Sequence, residues 1–323
     1  MSSANEWDPL KKVIVGISDN AKVPPLDLSM RVVNYAGTAH PESVPVGRYP
    51  AQVIAEAASD LDALSCFLQS VGVEVMRPAD TDPAYYNYCP RDSVLVYKDI
   101  AVATPMPLQS RRNEWHAFRH HLVAFSNVVD LSQPHPSTLY NAQCINNKEQ
   151  LALTEVAPAF DAANVLRAND DLFYLVSNSG NQQGARLLQE TIGDRGKVWP
   201  IEGVYSFMHI DSTIALLREG LMLLNPERIK TVAQLPPPLR NWDVIWAPEP
   251  EPMAVWPGYV GASKWLNVNL LSVSPDLVII EENQHSLRKA LESHKIECAM
   301  LPGRHQRTLS GGFHCVTLDL SRD

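Results

Sequence analysis

The order in which apolar runs recur is what most constrains the fold of this chain. Two short apolar runs around a tight turn precede a helical stretch and then one more apolar run. Runs 93–97 and 100–103 enclose Lys98 and Asp99, with a helical stretch over about 111–125 and a strand at 128–131. Runs 163–167 and 172–176 enclose the turn 169–171, and a helix over 182–191 and a strand at 197–201 follow. A third hairpin pairs 213–217 with 221–224. A last unit has strands 269–273 and 277–280, a helix over 284–293 and a strand at 297–300. Near the start, a strand at 13–17, an amphipathic helix over 51–70 and a strand at 73–76 form an incomplete first unit, and the unit after 221–224 is also incomplete. Roughly five units of one supersecondary type predict an α/β chain closed into a propeller-like ring. The competing reading is a plain α/β domain with chance regularity. In a ring, loops from separate units converge on the axis, so a site is expected there.

Other features narrow the class. A chain of 323 residues buries a sizeable core without staples. Its net charge of −9 disfavours nucleic acid as a partner. Five cysteines, an odd number with no closely spaced Cys/His set, argue against a disulfide framework and a structural zinc site. The first residues lack the basic and apolar regions of a secretory leader, and no apolar run is long enough to span a bilayer, so a cytoplasmic location is expected. The segment 20–50, rich in Pro and Gly, reads as a long ordered loop of the kind that carries function.

Four short stretches at or before the hairpins carry reactive groups: Cys89-Pro90-Arg91-Asp92, Phe160-Asp161-Ala162-Ala163-Asn164, Met208-His209-Ile210-Asp211 and Gly311-Gly312-Phe313-His314-Cys315. Paired glycines allow a close backbone approach, and a cysteine on such a turn is a candidate nucleophile. In an extended strand His209 and Asp211 would share a face, while His314 and Cys315 would point oppositely, which argues against His314 as the base. One Cys, one His and three Asp suit guanidinium chemistry. Carboxylates bind that planar cation, a thiolate attacks its carbon, and an imidazole held by a carboxylate protonates the departing amine. A cation at about 4 Å and an effective dielectric of about 20 attracts a thiolate by roughly 4 kcal/mol, or about 3 pK units. That shift would bring an ordinary thiol from about 8.5 to about 5.5. Each residue also has a plainer account. Cys315 is a small buried hydrophobe, Asp92 a surface partner of Arg91, Asp161 a cap, and His209 a core histidine.

These stretches, together with Asn5-Glu6-Trp7-Asp8-Pro9-Leu10, Asn225-Pro226 and Ser263-Lys264-Trp265-Leu266, make nearly the whole chain resemble the L-arginine amidinotransferases. The resemblance implies a five-bladed α/β propeller of pseudo-fivefold ββαβ modules, the pentein fold, as a single domain over residues 1–323. It implies that Cys315 takes the amidino group of arginine as a covalent adduct, with His209 as general acid and then base and Asp161 orienting it. Asp92 and Asp211 would grip the guanidinium, Arg228 and Ser263 would contact the amino-acid part of the donor, and Met208 belongs with the substrate-binding positions. It implies no metal and no organic cofactor. The expected partners are small molecules, arginine and a primary amine, and a homodimer is allowed. The chain departs from the family pattern in a shorter stretch between Pro78 and Cys89, at Ser206 and Phe207, and in the single serine of Gly261-Ala262-Ser263-Lys264. The acceptor therefore stays open among glycine, another amino acid and a natural-product amine. Competing functions are an arginine deiminase or dihydrolase of the same superfamily, with water as acceptor, and a catalytically silent binding protein.

Overall fold

The computed structural model describes residues 1–38, 40–79, 86–145, 150–205 and 207–323. Ser206 and most of the shortened stretch before Cys89 lie outside them. Among the described residues, five three-stranded sheets follow one plan, beside a two-stranded pair, Lys22–Val23 with Gly47–Arg48. In each, the first two strands are antiparallel and the third runs parallel to the second. A parallel neighbour requires a crossover connection, which explains why every hairpin is followed by a longer segment before its third strand.

Four sheets are contiguous in the chain. They are Val94–Tyr97, Ile100–Ala103 and Asn127–Asp130; Val165–Ala168, Asp171–Leu175 and Lys197–Ile201; Ile214–Arg218, Leu221–Leu224 and Asp243–Trp246; and Leu271–Ser274, Leu277–Glu281 and Glu297–Leu301. The fifth joins the ends of the chain. Thr317–Arg322 pairs antiparallel with Leu10–Val15, which pairs in parallel with Glu74–Met76. The first unit is thus complete, and its missing strand comes from the C-terminus.

The crossovers differ for local reasons. Ala51–Ser70 buries Val53, Ile54, Ala57, Leu61, Leu64 and Leu68 along one stripe and ends before Gly72, whose φ of +87° suits glycine. Gln182–Ile192 is capped by Asn181, whose side chain accepts from the Gly184 N–H at 2.9 Å. The helix expected over 111–125 is instead broken into two 3-10 turns, Gln109–Arg111 and Glu114–Ala117, and one α turn, Arg119–Leu122. There the side chains of Arg111 and Glu114 turn inward to bind each other rather than lying on a solvent face. After Leu224 the crossover has only 3-10 turns, because Pro236, Pro237 and Pro238 lack the N–H groups a helix needs. The described residues of the 20–50 segment include the buried Met30, Val32 and Val33, which lie in one helical turn. No helix of the described residues is long and apolar enough to cross a membrane.

A buried ionic network ties four of these sheets to the N-terminal segment. Arg167 donates to Glu6 Oε1 and Oε2 at 2.8 and 2.7 Å, to Asp319 Oδ2 at 2.7 Å and to the Val96 carbonyl at 3.0 Å. Arg91 pairs with Asp319 and donates to the His314 and Thr317 carbonyls at 2.7 and 2.9 Å. Arg322 reaches Asp319 Oδ2 and the Ser272 carbonyl, both at 2.8 Å. A surface pair of Arg91 with Asp92 is therefore overturned, since both side chains are buried and Arg91 binds Asp319 instead.

Candidate active site

The reactive residues share one structural address. Asp92, Asp161, Asp211, Asn269 and Cys315 each lie a few residues before the first strand of a different sheet, those strands beginning at Val94, Val165, Ile214, Leu271 and Thr317. Four of these addresses were legible in the sequence. Asn269 was not singled out, although its place at the head of an apolar run was the available signal.

Cys315 is buried, and its Sγ donates to Asp211 Oδ2 at 3.2 Å. Asn269 Nδ2 donates to the same sulfur at 3.1 Å, and Asn269 Oδ1 accepts from the backbone N–H groups of His314 and Cys315, each at 3.1 Å. Gly311 and Gly312 make this packing feasible. A Cβ at Gly311 would lie 2.4 Å from Cys89 Sγ, and one at Gly312 would lie 2.6 Å from the Asn269 carbonyl oxygen. The Cys89 contact, burial and the charges of Asp211 and Asp92 push the Cys315 thiol well above its ordinary value, against the pull of His209. The thiol thus starts higher than the ordinary value from which the sequence argument began.

His314 and Cys315 lie in a turn rather than a strand, yet they still face different spaces. His314 Nδ1 meets Asp211 Oδ2 at 3.0 Å and its Nε2 meets Glu6 Oε2 at 3.3 Å, beside a void of about 10 Å³ that Cys315 does not line. Both ring nitrogens of His314 are engaged, so it anchors Asp211. Burial alone would raise the Asp211 carboxyl, but the His314 bond holds it below the ordinary value.

His209 and Asp211 precede their strand, which begins at Ile214, so the strand-face argument for their shared direction does not apply. His209 has φ +52°, a conformation uncommon outside glycine and costing about 1 kcal/mol. Its Nε2 lies 3.0 Å from Asp161 Oδ2 and its Nδ1 lies 4.0 Å from Asp92 Oδ1. Burial opposes the imidazolium, but Asp92, Asp161 and Cys315 lift the His209 pKa well above its usual value. Asp161 makes no capping bond, so its carboxylate serves the imidazole rather than the turn.

Arg111, Glu114 and Cys89 extend the set beyond what the sequence suggested. Arg111 is buried, donates to Asp92 Oδ2 at 2.8 Å, and holds Glu114 through both terminal and inner nitrogens at 2.9 to 3.1 Å. Two carboxylates share this one guanidinium, and burial pushes Glu114 up to about 7 against the pull of Arg111. Asp92 Oδ1 and Asp161 Oδ1 are buried without a hydrogen-bond partner, and both residues line a void of about 20 Å³ with His209.

The space over the sulfur is a cavity of about 80 Å³ lined by Met208, His209, Asp211, Ser263, Asn269 and Cys315. It shares Tyr205, Phe207 and Ser263 with a cleft of about 560 Å³ that Arg228 also lines. Arg228 stands over the Tyr205 ring at 3.5 Å and donates to Ser263 Oγ at 2.8 Å and Thr213 Oγ1 at 2.7 Å. Ser263 and Arg228 are thus brought together where the cavity over the sulfur meets the wider cleft. Ligand atoms of Asp92, His209 and Cys315 lie within 4.8 Å of one another, a spacing that admits a metal ion.

The chain shares 40% identity with inosamine-phosphate amidinotransferase 1 of Streptomyces griseus, covering 100% of this chain and 97% of the relative. It belongs to the amidinotransferase family. L-arginine:L-lysine amidinotransferase of Pseudomonas savastanoi pv. phaseolicola is 30% identical, with coverage of 99% and 94%. The solved inosamine-phosphate amidinotransferase of Streptomyces griseus superposes on this amidinotransferase with a TM-score of 0.93 at 39% identity, covering 99% of this chain and 96% of that one. A DDAH from Pseudomonas aeruginosa, at 16% identity, matches in fold with a TM-score of 0.64 over 96% and 99% of the two chains. The amidinotransferase is therefore an enzyme of mixed α/β fold. No protein-family model matches it.

Proposed function

We propose that this amidinotransferase moves the amidino group of L-arginine to a primary amine through an amidino adduct on Cys315. The observation that carries this reading is that Cys315 and Asp211 line one space and Asp92 and Asp161 an adjoining one, with His209 and Met208 lining both and His209 bonded to Asp161. The guanidinium enters over the sulfur between Asp92 and Asp211. The void beside the unpartnered Asp92 and Asp161 oxygens accommodates one of its NH₂ groups, since about 10–15 Å³ suffices for a group the size of water. Arg228 and Ser263, at the mouth, hold the amino-acid end of the donor.

The bound cation lowers the thiol pKa, and the thiolate attacks the guanidinium carbon. A C–S bond forms, the bond from that carbon to the ornithine nitrogen breaks, and His209 supplies the proton that nitrogen needs. After ornithine leaves, the acceptor amine attacks the same carbon and gives its proton to His209. A new C–N bond then replaces the C–S bond and the thiolate is restored. Donor and acceptor use the site in turn, so the kinetics are ping-pong. The five sheets close as one five-bladed propeller over residues 1–323, with the reactive turns at its axis. The shared strand-head address of the site residues supports that closure. Five free cysteines suit a reducing, cytoplasmic setting.

Intact-mass spectrometry after arginine exposure tests the reading. A single amidino adduct on Cys315, discharged by an amine with ornithine already released, is the expected result. Citrulline, or steady urea and ornithine without an amine, would overturn transfer in favour of hydrolysis.

A further inference from the structure

We propose that Asn269 is a catalytic residue whose carboxamide N–H holds the attacking sulfur of Cys315 in its thiolate form. This rests on Cys315 being the nucleophile. Asn269 stands at the strand-head address in the one sheet whose contribution the sequence did not reveal, and it lines the cavity over the sulfur. Its orientation is dictated by its surroundings. Oδ1 accepts two backbone N–H groups, from His314 and Cys315, at 3.1 Å each. A flipped amide would set its NH₂ against both donors, so Nδ2 must face Sγ, 3.1 Å away. The side chain is buried and pinned. Its Oδ1 packs against Gly312, where any Cβ would lie 2.7 Å from that oxygen.

Apart from His209, the sulfur otherwise meets groups that oppose its ionisation. Asp211 Oδ2 accepts from it, and Asp92 and the Cys89 thiol lie close by. Asn269 is a neutral donor fixed before substrate arrives. It stabilises negative charge on sulfur when the adduct forms and again when the acceptor expels the sulfur from carbon. A preset donor needs no reorganisation during either step. His209 must exchange protons with the ornithine and acceptor nitrogens, so it is not free to hold the sulfur throughout.

Asn269→Asp separates this role from a purely architectural one. It keeps an oxygen for the two backbone N–H groups and replaces the donor to sulfur with a carboxylate oxygen. The pH dependence of iodoacetamide alkylation at Cys315 is read on the full chain without arginine, and adduct formation is then read with arginine. The expected result is an alkylation midpoint raised by about one pH unit or more and adduct formation slowed about 10- to 100-fold, with arginine KM little changed. If N269D does not fold by circular dichroism, N269A takes its place, since it also lacks the donor and must also raise the midpoint. An unchanged midpoint in the folded variant overturns the proposal. Failure of the wild-type protein to form an adduct would instead sink the role of Cys315, a result the alkylation profile keeps distinct.

Discussion

The Cys315 thiol donates to Asp211 Oδ2 across 3.2 Å. A carboxylate that accepts a hydrogen bond from the thiol favours the neutral sulfur until a cation reaches the same carboxylate, so on the proposed mechanism the nucleophile is at rest in the free enzyme. Asp211→Asn removes that acceptor and its charge. Two opposite effects are expected: Cys315 alkylation by iodoacetamide at pH 7 becomes faster, while adduct formation from arginine slows by about 100-fold or more for loss of a buried, charge-assisted contact. Peptide mass spectrometry after timed alkylation reads the first effect and quenched-flow ornithine release reads the second. Slower alkylation in the variant would contradict this account of the resting thiol.

The His209–Asp161 contact of 3.0 Å predicts a leaving-group effect. Asp92 and Asp161, with Cys315, lift His209 well above its usual pKa despite burial, which favours the imidazolium that the proposed mechanism uses as the acid of its first half-reaction. Asp161→Asn is expected to slow ornithine release by about 10²- to 10⁴-fold. An arginine analogue that departs as a thiolate needs little protonation and should recover most of that loss. Equal losses with both substrates would mean that Asp161 acts on binding instead.

Glu114 gives the fold a pH signature. Its carboxyl is pushed up to about 7 by burial, so the folded protein binds its proton more tightly than the unfolded chain does. A raised pKa contributes stability that is fully present below about 4.5 and is lost as pH rises through about 7, in all about 3 kcal/mol. Glu114→Gln removes that component. Urea unfolding at pH 5 and pH 8 should therefore show a smaller loss of stability with pH in the variant than in the wild type, and parallel losses would refute the assignment.

The packing of Gly311 on Cys89 predicts a coupled pair. Gly311→Ala places a Cβ 2.4 Å from Cys89 Sγ, a distance that real side chains do not tolerate. The cost is expected at about 1–3 kcal/mol by thermal unfolding, with reduced adduct formation because the nucleophile turn shifts. Cys89→Ala removes the obstructing sulfur, and the double variant should regain most of the loss. Additive losses would show that the strain lies elsewhere.

Reading the sequence recovered the hairpins and most crossovers, because those follow from local apolar periodicity, turns and caps. It failed where distant groups intervene. Arg111 and Glu114 unwind a helix that the pattern 111–125 supports, because a buried carboxylate of another segment, Asp92, claims the Arg111 side chain. The first unit seemed to lack a strand because its partner, Thr317–Arg322, lies at the opposite end of the chain.

From the amino-acid order alone came the chemical repertoire: a cysteine between glycines and a hydrophobic strand, an imidazole, and three acidic groups at comparable places in repeated units. Only the tertiary structure decided which oxygen faces which proton. It set Asp211 between Cys315 and His314, gave His209 to Asp161, and put the Asn269 amide against the sulfur. The physical reason is that residue type and spacing prescribe what a group is able to do. Its protonation and direction depend on neighbours that folding brings from far along the chain, in a buried setting where each charge and each hydrogen bond weighs heavily.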